Sequence, residues 1–134
     1  MVTFRLVWAR YAVNMRPVFS DRLSTGDKTP AIDLTGIASA VVEFWEFRSV
    51  DDLFAGTFVH YTAVRIKDAS SGDLISELSR DAGKQTQWTK RSLPLPPGAL
   101  GKAVVIEFLL VSDPVAAQPD RHGWFIDDLS VVPE

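Results

Sequence analysis

The sequence has no cysteine and only two histidines among its 134 residues. The lack of cysteine excludes thiolate nucleophiles, disulfides, cysteine zinc sites and iron–sulfur clusters. No apolar run approaches the roughly 18 residues of a membrane-spanning helix, and Arg5 and Arg10 interrupt Val2–Val13, the nearest approach to a signal-peptide core. Basic residues are not in excess either: 14 Lys and Arg against 17 Asp and Glu give a net charge of −3, which argues against a nucleic-acid binder.

Motifs of catalysis are also missing. The sequence contains no His-Glu-x-x-His and no Gly-x-Ser-x-Gly, so His122 beside Ser112 and Asp113 is not part of a recognisable hydrolase arrangement. Glu43 and Glu46 fall on opposite faces of a predicted strand. They therefore do not form the facing carboxylate pair of a glycoside hydrolase. We expect no enzymatic activity.

Short β-branched and aromatic segments separated by turn residues make up the rest of the chain. The predicted strands lie within Ser39–Phe47, Phe58–Lys67, Leu74–Ser79, Lys102–Val111 and Gly123–Val132. The turn Ser70–Asp73 predicts that Leu74–Ser79 pairs back as a hairpin. No segment has a sustained helical period, and Lys102–Val111 is apolar on nearly both faces. This pattern predicts an all-β, antiparallel, two-sheet sandwich.

The sequence predicts a single domain whose N-terminal segment is separate from the sandwich. Residues 1–22 form an N-terminal strand or docking segment, and residues 23–134 form the sandwich. Within the first part, residues 2–13 are compatible with a strand, because Phe4, Leu6 and Trp8 share one side, or with a short helix. We expect the last strand, Gly123–Val132, to pair near Lys102–Val111.

The last third of the sequence has a spaced series of motifs. It consists of Trp88, Ser92–Leu95, Gly101–Lys102, Val104–Phe108, Ser112–Asp113 and Gly123–Val131. Upstream, a Pro-x-Ile-Asp-Leu segment within Thr29–Thr35 precedes Ala40–Phe44. Together these residues, between Leu23 and Val132, resemble the MAM-like jelly-roll accessory domain of immune inhibitor A-type secreted bacterial metalloproteases. The closing Ile-Asp-Asp strand is also similar to carbohydrate-binding modules of the galactose-binding-like fold.

The resemblance implies a jelly-roll topology and a non-catalytic accessory role in a secreted or cell-surface bacterial protein. Domains of this kind usually begin with a strand whose acidic residue helps to hold a structural calcium ion. This sequence departs from that pattern, since no Asp or Glu precedes Asp21.

Asp127 and Asp128 are the most informative acidic pair. Neighbouring strand residues point to opposite faces, so one of the two carboxylates should be shielded by the interior or lie at the end of the strand. A buried carboxylate needs a cation or several donors. Oxygen ligands suit Ca²⁺, and the resemblance also implies calcium. The candidate metal ligands are Asp127, Asp128 and Asp113. The alternative is a carboxylate held by backbone N–H groups or by Arg121.

Aromatic residues supply the candidate ligand site. Trp45 and Trp124 lie in apolar strands and are predicted to pack in the core. Trp88 lies among polar residues and is the better candidate for exposure, and Tyr61 and His60 lie near a predicted loop edge. The candidate ligand contacts are therefore Trp88, Tyr61 and His60.

Two functions remain open. The first is a binding module that recognises a glycan or protein ligand through loops at one end of the sandwich. The alternative is a purely structural or oligomerisation domain without a ligand site, in which residues 1–22 dock onto a second copy or onto the rest of a multidomain chain.

Overall fold

A computed structural model describes residues 4–5, 11–12, 23–49, 61–112 and 123–134. The elements in this part of the chain are β1 (Phe4–Arg5), β2 (Tyr11–Ala12), β3 (Leu23–Lys28), β4 (Ile32–Asp33), β5 (Ala40–Ser49), β6 (Tyr61–Asp68), β7 (Leu74–Asp81), β8 (Lys84–Pro94), a 3-10 helix (Pro97–Ala99), β9 (Ala103–Ser112) and β10 (Gly123–Pro133).

The strands form two five-stranded sheets in which every pair is antiparallel. Sheet 1 has the order β1-β10-β5-β8, with β2 also paired to β10. Sheet 2 has the order β3-β9-β6-β7, with β4 also paired to β9. Among the described strands, the chain changes sheet after β2, β4, β5, β7, β8 and β9. The all-β, antiparallel, two-sheet jelly-roll sandwich predicted from the sequence is confirmed.

β9 is an inner strand of sheet 2, and apolar side chains are buried on both of its faces. Val104, Ile106, Phe108 and Leu110 alternate along one face, and all four are buried in the main core. On the opposite face, Leu109 and Val111 form a second buried cluster with Tyr61 and Ala63 of β6. A strand that is apolar on both sides is stable only where both sides are covered.

Aromatic rings join the two sheets across the core. The Phe108 ring of sheet 2 packs edge-on against Phe44 of β5 and Trp124 of β10, with ring centroids 5.5 and 5.7 Å apart. All three side chains are almost completely buried. Burial of one such side chain contributes about 1.5–3 kcal/mol, so this trio is a main contributor to sheet packing.

The prediction that Gly123–Val132 pairs near Lys102–Val111 is wrong. The two strands lie in different sheets, and β10 pairs with β5, β1 and β2. One edge of β9 is hydrogen-bonded to β6 and the other to β3 and β4. No edge is left for β10, which therefore meets β9 face to face through its buried side chains.

The N-terminal segment contributes two short strands to sheet 1. Phe4 is opposite Val131 and Tyr11 is opposite Ile126, so the strand alternative holds at the described positions. In the described part of the chain, no helix has the length and apolar character needed to cross a membrane.

The β6–β7 hairpin is confirmed, and Asp68 organises its turn. The carboxylate accepts hydrogen bonds from the Ser70 hydroxyl (2.7 Å), the Ser70 backbone N–H (2.8 Å) and the Ser71 backbone N–H (3.2 Å). These bonds favour the ionised form. They lower the pKa of Asp68 to about 2.

We expect Asp68→Asn to reveal the pH dependence of this turn. Asparagine accepts the same bonds without a charge. Because the folded-state pKa lies below the usual value of about 3.9, the carboxylate contributes stability above about pH 4. That contribution is lost as the pH falls towards about 2. Thermal unfolding of both proteins should show a difference in Tm that shrinks over this range. A difference that stays constant would contradict the assignment.

Candidate functional site

The outer face of sheet 1 carries a row of aromatic rings across three strands. Phe125 of β10 is directly opposite Phe47 of β5, and their ring centroids are 6.1 Å apart. Phe47 also lies 6.1 Å from the Trp88 ring of β8. We call Phe125, Phe47 and Trp88 the aromatic row. Its members hold one another at distances typical of aromatic pairs.

The next row on this face combines an aromatic ring with charged groups. Trp45 of β5 is opposite Asp127 of β10 on one side and Lys90 of β8 on the other. We call Asp127, Trp45 and Lys90 the mixed row. The Lys90 ammonium lies 3.3 Å from the Glu43 carboxylate, so this lysine is engaged away from Asp127.

A β-bulge places both members of the acidic pair on the outer side of the sheet. The register of β10 against β5 shifts between Asp127 and Ser130, and Asp128 has a φ of 52°. The residue inserted at the bulge interrupts the alternation, so Leu129 instead of Asp128 occupies the buried position. The expectation that one of the two carboxylates is shielded by the interior or lies at the end of the strand is therefore wrong, because both side chains are half-exposed and both residues lie within β10.

The two rows border a shallow depression of about 310 Å³, lined by Trp45, Trp88, Asp127 and Asp128. Trp45 is 40% exposed and Trp88 is 36% exposed. Two accessible indole rings beside carboxylates offer flat apolar surface and hydrogen-bond acceptors within one site. This is the composition of a pocket for a small polar ligand with an apolar face.

The sequence predictions for the tryptophans have mixed outcomes. Trp88 is exposed and Trp124 is buried, as predicted. The prediction that Trp45 packs in the core is wrong. Phe44 and Glu46, its neighbours along β5, are the buried residues, so the alternation of the strand turns Trp45 outward.

The structure does not bring the other candidate ligand contacts to the depression. Tyr61 lies in sheet 2, is 5% exposed, and has the Arg80 guanidinium 4.2 Å from its ring centroid. His60 lies outside the described residues, as do Asp113, His122 and Arg121. Ligand binding by Tyr61 and His60 stays a prediction.

Calcium does not fit the described residues on their own. No group of three or more His, Asp or Glu side chains in the described ranges is arranged to hold a metal ion. Asp127 and Asp128 lie together, but Ca²⁺ takes about six to eight oxygen ligands. Calcium binding by Asp127, Asp128 and Asp113 stays a prediction.

The buried carboxylate of this region belongs to Glu46, which the sequence did not single out as a site residue. Glu46 is 1% exposed. Its Oε2 accepts a hydrogen bond from Trp124 Nε1 (2.9 Å). Its Oε1 accepts bonds from Arg48 Nη1 (2.9 Å) and Arg91 Nη1 (2.8 Å). We call these four residues the Glu46 cluster.

The Glu46 cluster has two positive charges and one negative charge, and Asp81 at the β7–β8 connection supplies the second negative charge. Arg91 Nη1 also donates to Asp81 Oδ2 (3.0 Å), and Arg48 Nε donates to the Gly83 carbonyl (3.3 Å). Burial alone would lower the pKa of Arg91, but the hydrogen bond and negative charge of Glu46, together with Asp81, raise it. Arg91 is therefore held in the charged form.

The Glu46 cluster lies directly behind the candidate site. Glu46 separates Trp45 from Phe47 along β5, and Trp124 precedes Phe125. Arg91 likewise follows Lys90. A single carboxylate thus ties together the three strands that carry the aromatic and mixed rows. The sequence did contain one signal for this cluster. Glu46 continues the alternation of the apolar residues Val42 and Phe44, which indicates that its side chain faces the core.

Comparisons with known proteins support the fold of this chain and say nothing about its function. No family model and no curated protein matches the sequence. The chain is similar to a chain in the structure of infectious bursal disease virus Gt strain, with a TM-score of 0.50, 13% identity, and coverage of 98% of this chain and 32% of that one. For the Gx strain the TM-score is 0.47, with 13% identity and coverage of 97% and 30%. This chain spans about a third of the length of those chains.

We expect Glu46→Gln to lower the free energy of unfolding by about 2–4 kcal/mol, because it leaves the buried Arg48 and the half-buried Arg91 short of one negative charge. Glu43→Gln is the matched control on the same strand. Its carboxylate is partly exposed and pairs with an exposed lysine, so the loss should be below about 1 kcal/mol. Urea unfolding measures both changes. Equal losses would show that the Glu46 cluster has no special weight.

We expect Asp128→Val to destabilise the protein more than Asp127→Val. Asp128 has a positive φ, which costs a β-branched residue about 1–3 kcal/mol. Asp127 occupies a paired strand position, where valine is favoured. The midpoints of thermal unfolding compare the two variants. Similar midpoints would contradict the left-handed conformation at Asp128.

Proposed function

We propose that this chain is a non-catalytic module that binds a glycan on the outer face of sheet 1. The observation that carries the proposal is the depression in which Trp45 and Trp88 lie beside Asp127 and Asp128. The axial C–H groups of a pyranose ring present an apolar face that stacks on an indole. Its hydroxyl groups donate hydrogen bonds that carboxylates accept.

The support for the indole rings favours recognition with little rearrangement. Trp88 packs against Phe47, which packs against Phe125, and the Glu46 cluster holds the same strands from behind. Rings that are already held in position lose little conformational freedom on binding. This arrangement favours the strand face over the sandwich-end loops that the sequence suggested, since both exposed tryptophans lie on strands.

An accessory role in a longer secreted or cell-surface bacterial protein is part of the proposal. It is supported by the resemblance to the MAM-like jelly-roll domains of immune inhibitor A-type metalloproteases. Trp88, Asp127 and Asp128 all lie in the stretch that carries this resemblance.

A structural role is the second candidate, and the same surface favours it. The large hydrophobic residues exposed within the described ranges include Trp45, Trp88 and Leu74. A second copy or a neighbouring domain that covers the two tryptophans would bury the 40% of Trp45 and the 36% of Trp88 that are exposed. In that case the depression is an interface and not a ligand site.

A glycan array followed by calorimetry tests the proposal. We expect binding that Trp88→Ala and Trp45→Ala each weaken about tenfold or more, the effect of removing a central aromatic contact. Leu74→Ala is the matched control, because Leu74 is 52% exposed but lies in sheet 2. It should leave affinity unchanged. The array is run with calcium and with EDTA, so that a metal requirement is visible.

The structural role predicts the opposite result. A silent array, together with a dimeric mass in solution that Trp88→Ala converts to monomer, would overturn glycan binding. Equal loss of affinity in Trp88→Ala and Leu74→Ala would place any observed binding elsewhere on the molecule.

A further inference from the structure

We infer that the glycan taken by the depression carries protonated amines, as in a de-N-acetylated amino sugar, and that Asp127 binds the ammonium group. This inference rests on the proposed function and names the ligand class of the same site. It follows from the charge, the order and the aromatic composition of the mixed row.

The charge of the depression favours a cation. Asp127 is half-exposed, and in the ranges that the structure describes no lysine or arginine pairs with it. Lys90, the positively charged member of the mixed row, is paired with Glu43 instead. Among the described residues, Asp127 therefore offers the depression a carboxylate that no lysine or arginine neutralises, and such a group attracts ammonium groups and repels the carboxylate or sulfate groups of acidic glycans.

The order of the mixed row places the carboxylate where a stacked ring can reach it. Asp127 and Trp45 are direct cross-strand partners, so their Cβ atoms are about 4.5–5.5 Å apart. A pyranose ring is of similar width. When it stacks on Trp45, a substituent on its β10 side lies over Asp127.

The indole rings add to the same preference. A cation beside the face of a tryptophan is attracted by the ring quadrupole, and Trp45 and Trp88 both line the depression. An acetamide on the same sugar carbon is neutral and gains neither this attraction nor the ion pair. Its N–H group still donates a hydrogen bond to a carboxylate, but a charged donor forms the stronger bond.

The test compares glucosamine oligomers with N-acetylglucosamine oligomers of equal length by calorimetry. Measurements at a pH of about 5, above the usual aspartate pKa of about 3.9, keep the amines of the glucosamine oligomer charged. We expect the wild-type protein to bind the glucosamine oligomer at least about threefold more tightly, the effect of one partly exposed ion pair. Added salt should reduce the preference.

Asp127→Asn tests the assignment of the anion. It should bring the two affinities together, because it weakens binding of the glucosamine oligomer more than binding of the acetylated oligomer. Glu43→Gln is the matched control, since it removes the same charge from the same face but from a carboxylate already paired with Lys90. It should keep the preference. Loss of the preference in Glu43→Gln as well would mean that overall charge, and not the depression, selects the ligand.

The outcomes separate this inference from the proposed function. Equal wild-type affinities for the two oligomers overturn the inference and leave glycan binding standing. Binding of neither oligomer, with a silent array, overturns both. A lysine-rich peptide that binds in a Trp88-dependent manner while the oligomers do not would make the partner a protein, and would also overturn both.

Discussion

The arrangement of sheet 1 depends on one buried carboxylate. Glu46 lies between the two sheets, where an ionised group is stable only with donors and opposite charge around it. Arg48, Arg91 and Trp124 supply both, from β5, β8 and β10. Because these groups satisfy the carboxylate only in one register of the three strands, the Glu46 cluster favours that register. The rows of side chains on the outer face then follow from it.

The sequence predicted the layers of the sandwich better than the neighbours within each layer. The alternation of Val104, Ile106, Phe108 and Leu110 identified a strand with a buried face, and the turn at Ser70–Asp73 identified a hairpin. Alternation reports which side of a strand is apolar. It does not report which strand lies beside it. The partner of β10 depended on β9 having both edges already paired, which is a property of the whole sheet.

The candidate site was predictable only in part, for two local reasons. Trp88 was recognised as exposed because polar residues surround it, whereas Trp45 lies in a segment whose apolar character hid its outward face. The acidic pair was misjudged because the bulge at Asp128 breaks the two-residue period on which the prediction rested. The Glu46 carboxylate is hydrogen-bonded by Arg91 and Trp124, which are 45 and 78 residues away in the sequence. No local sequence pattern therefore identifies its partners.

Alternation along β5 assigns anchoring and recognition to different residues of the same short segment. Glu46 faces the interior, while Trp45 and Phe47 on either side of it face outward. Substitutions at the outward positions leave the buried ion pairs intact, so the chemistry offered to a partner can diversify without loss of the scaffold. The outward face of β5 can therefore change in evolution, whereas its inward face is constrained.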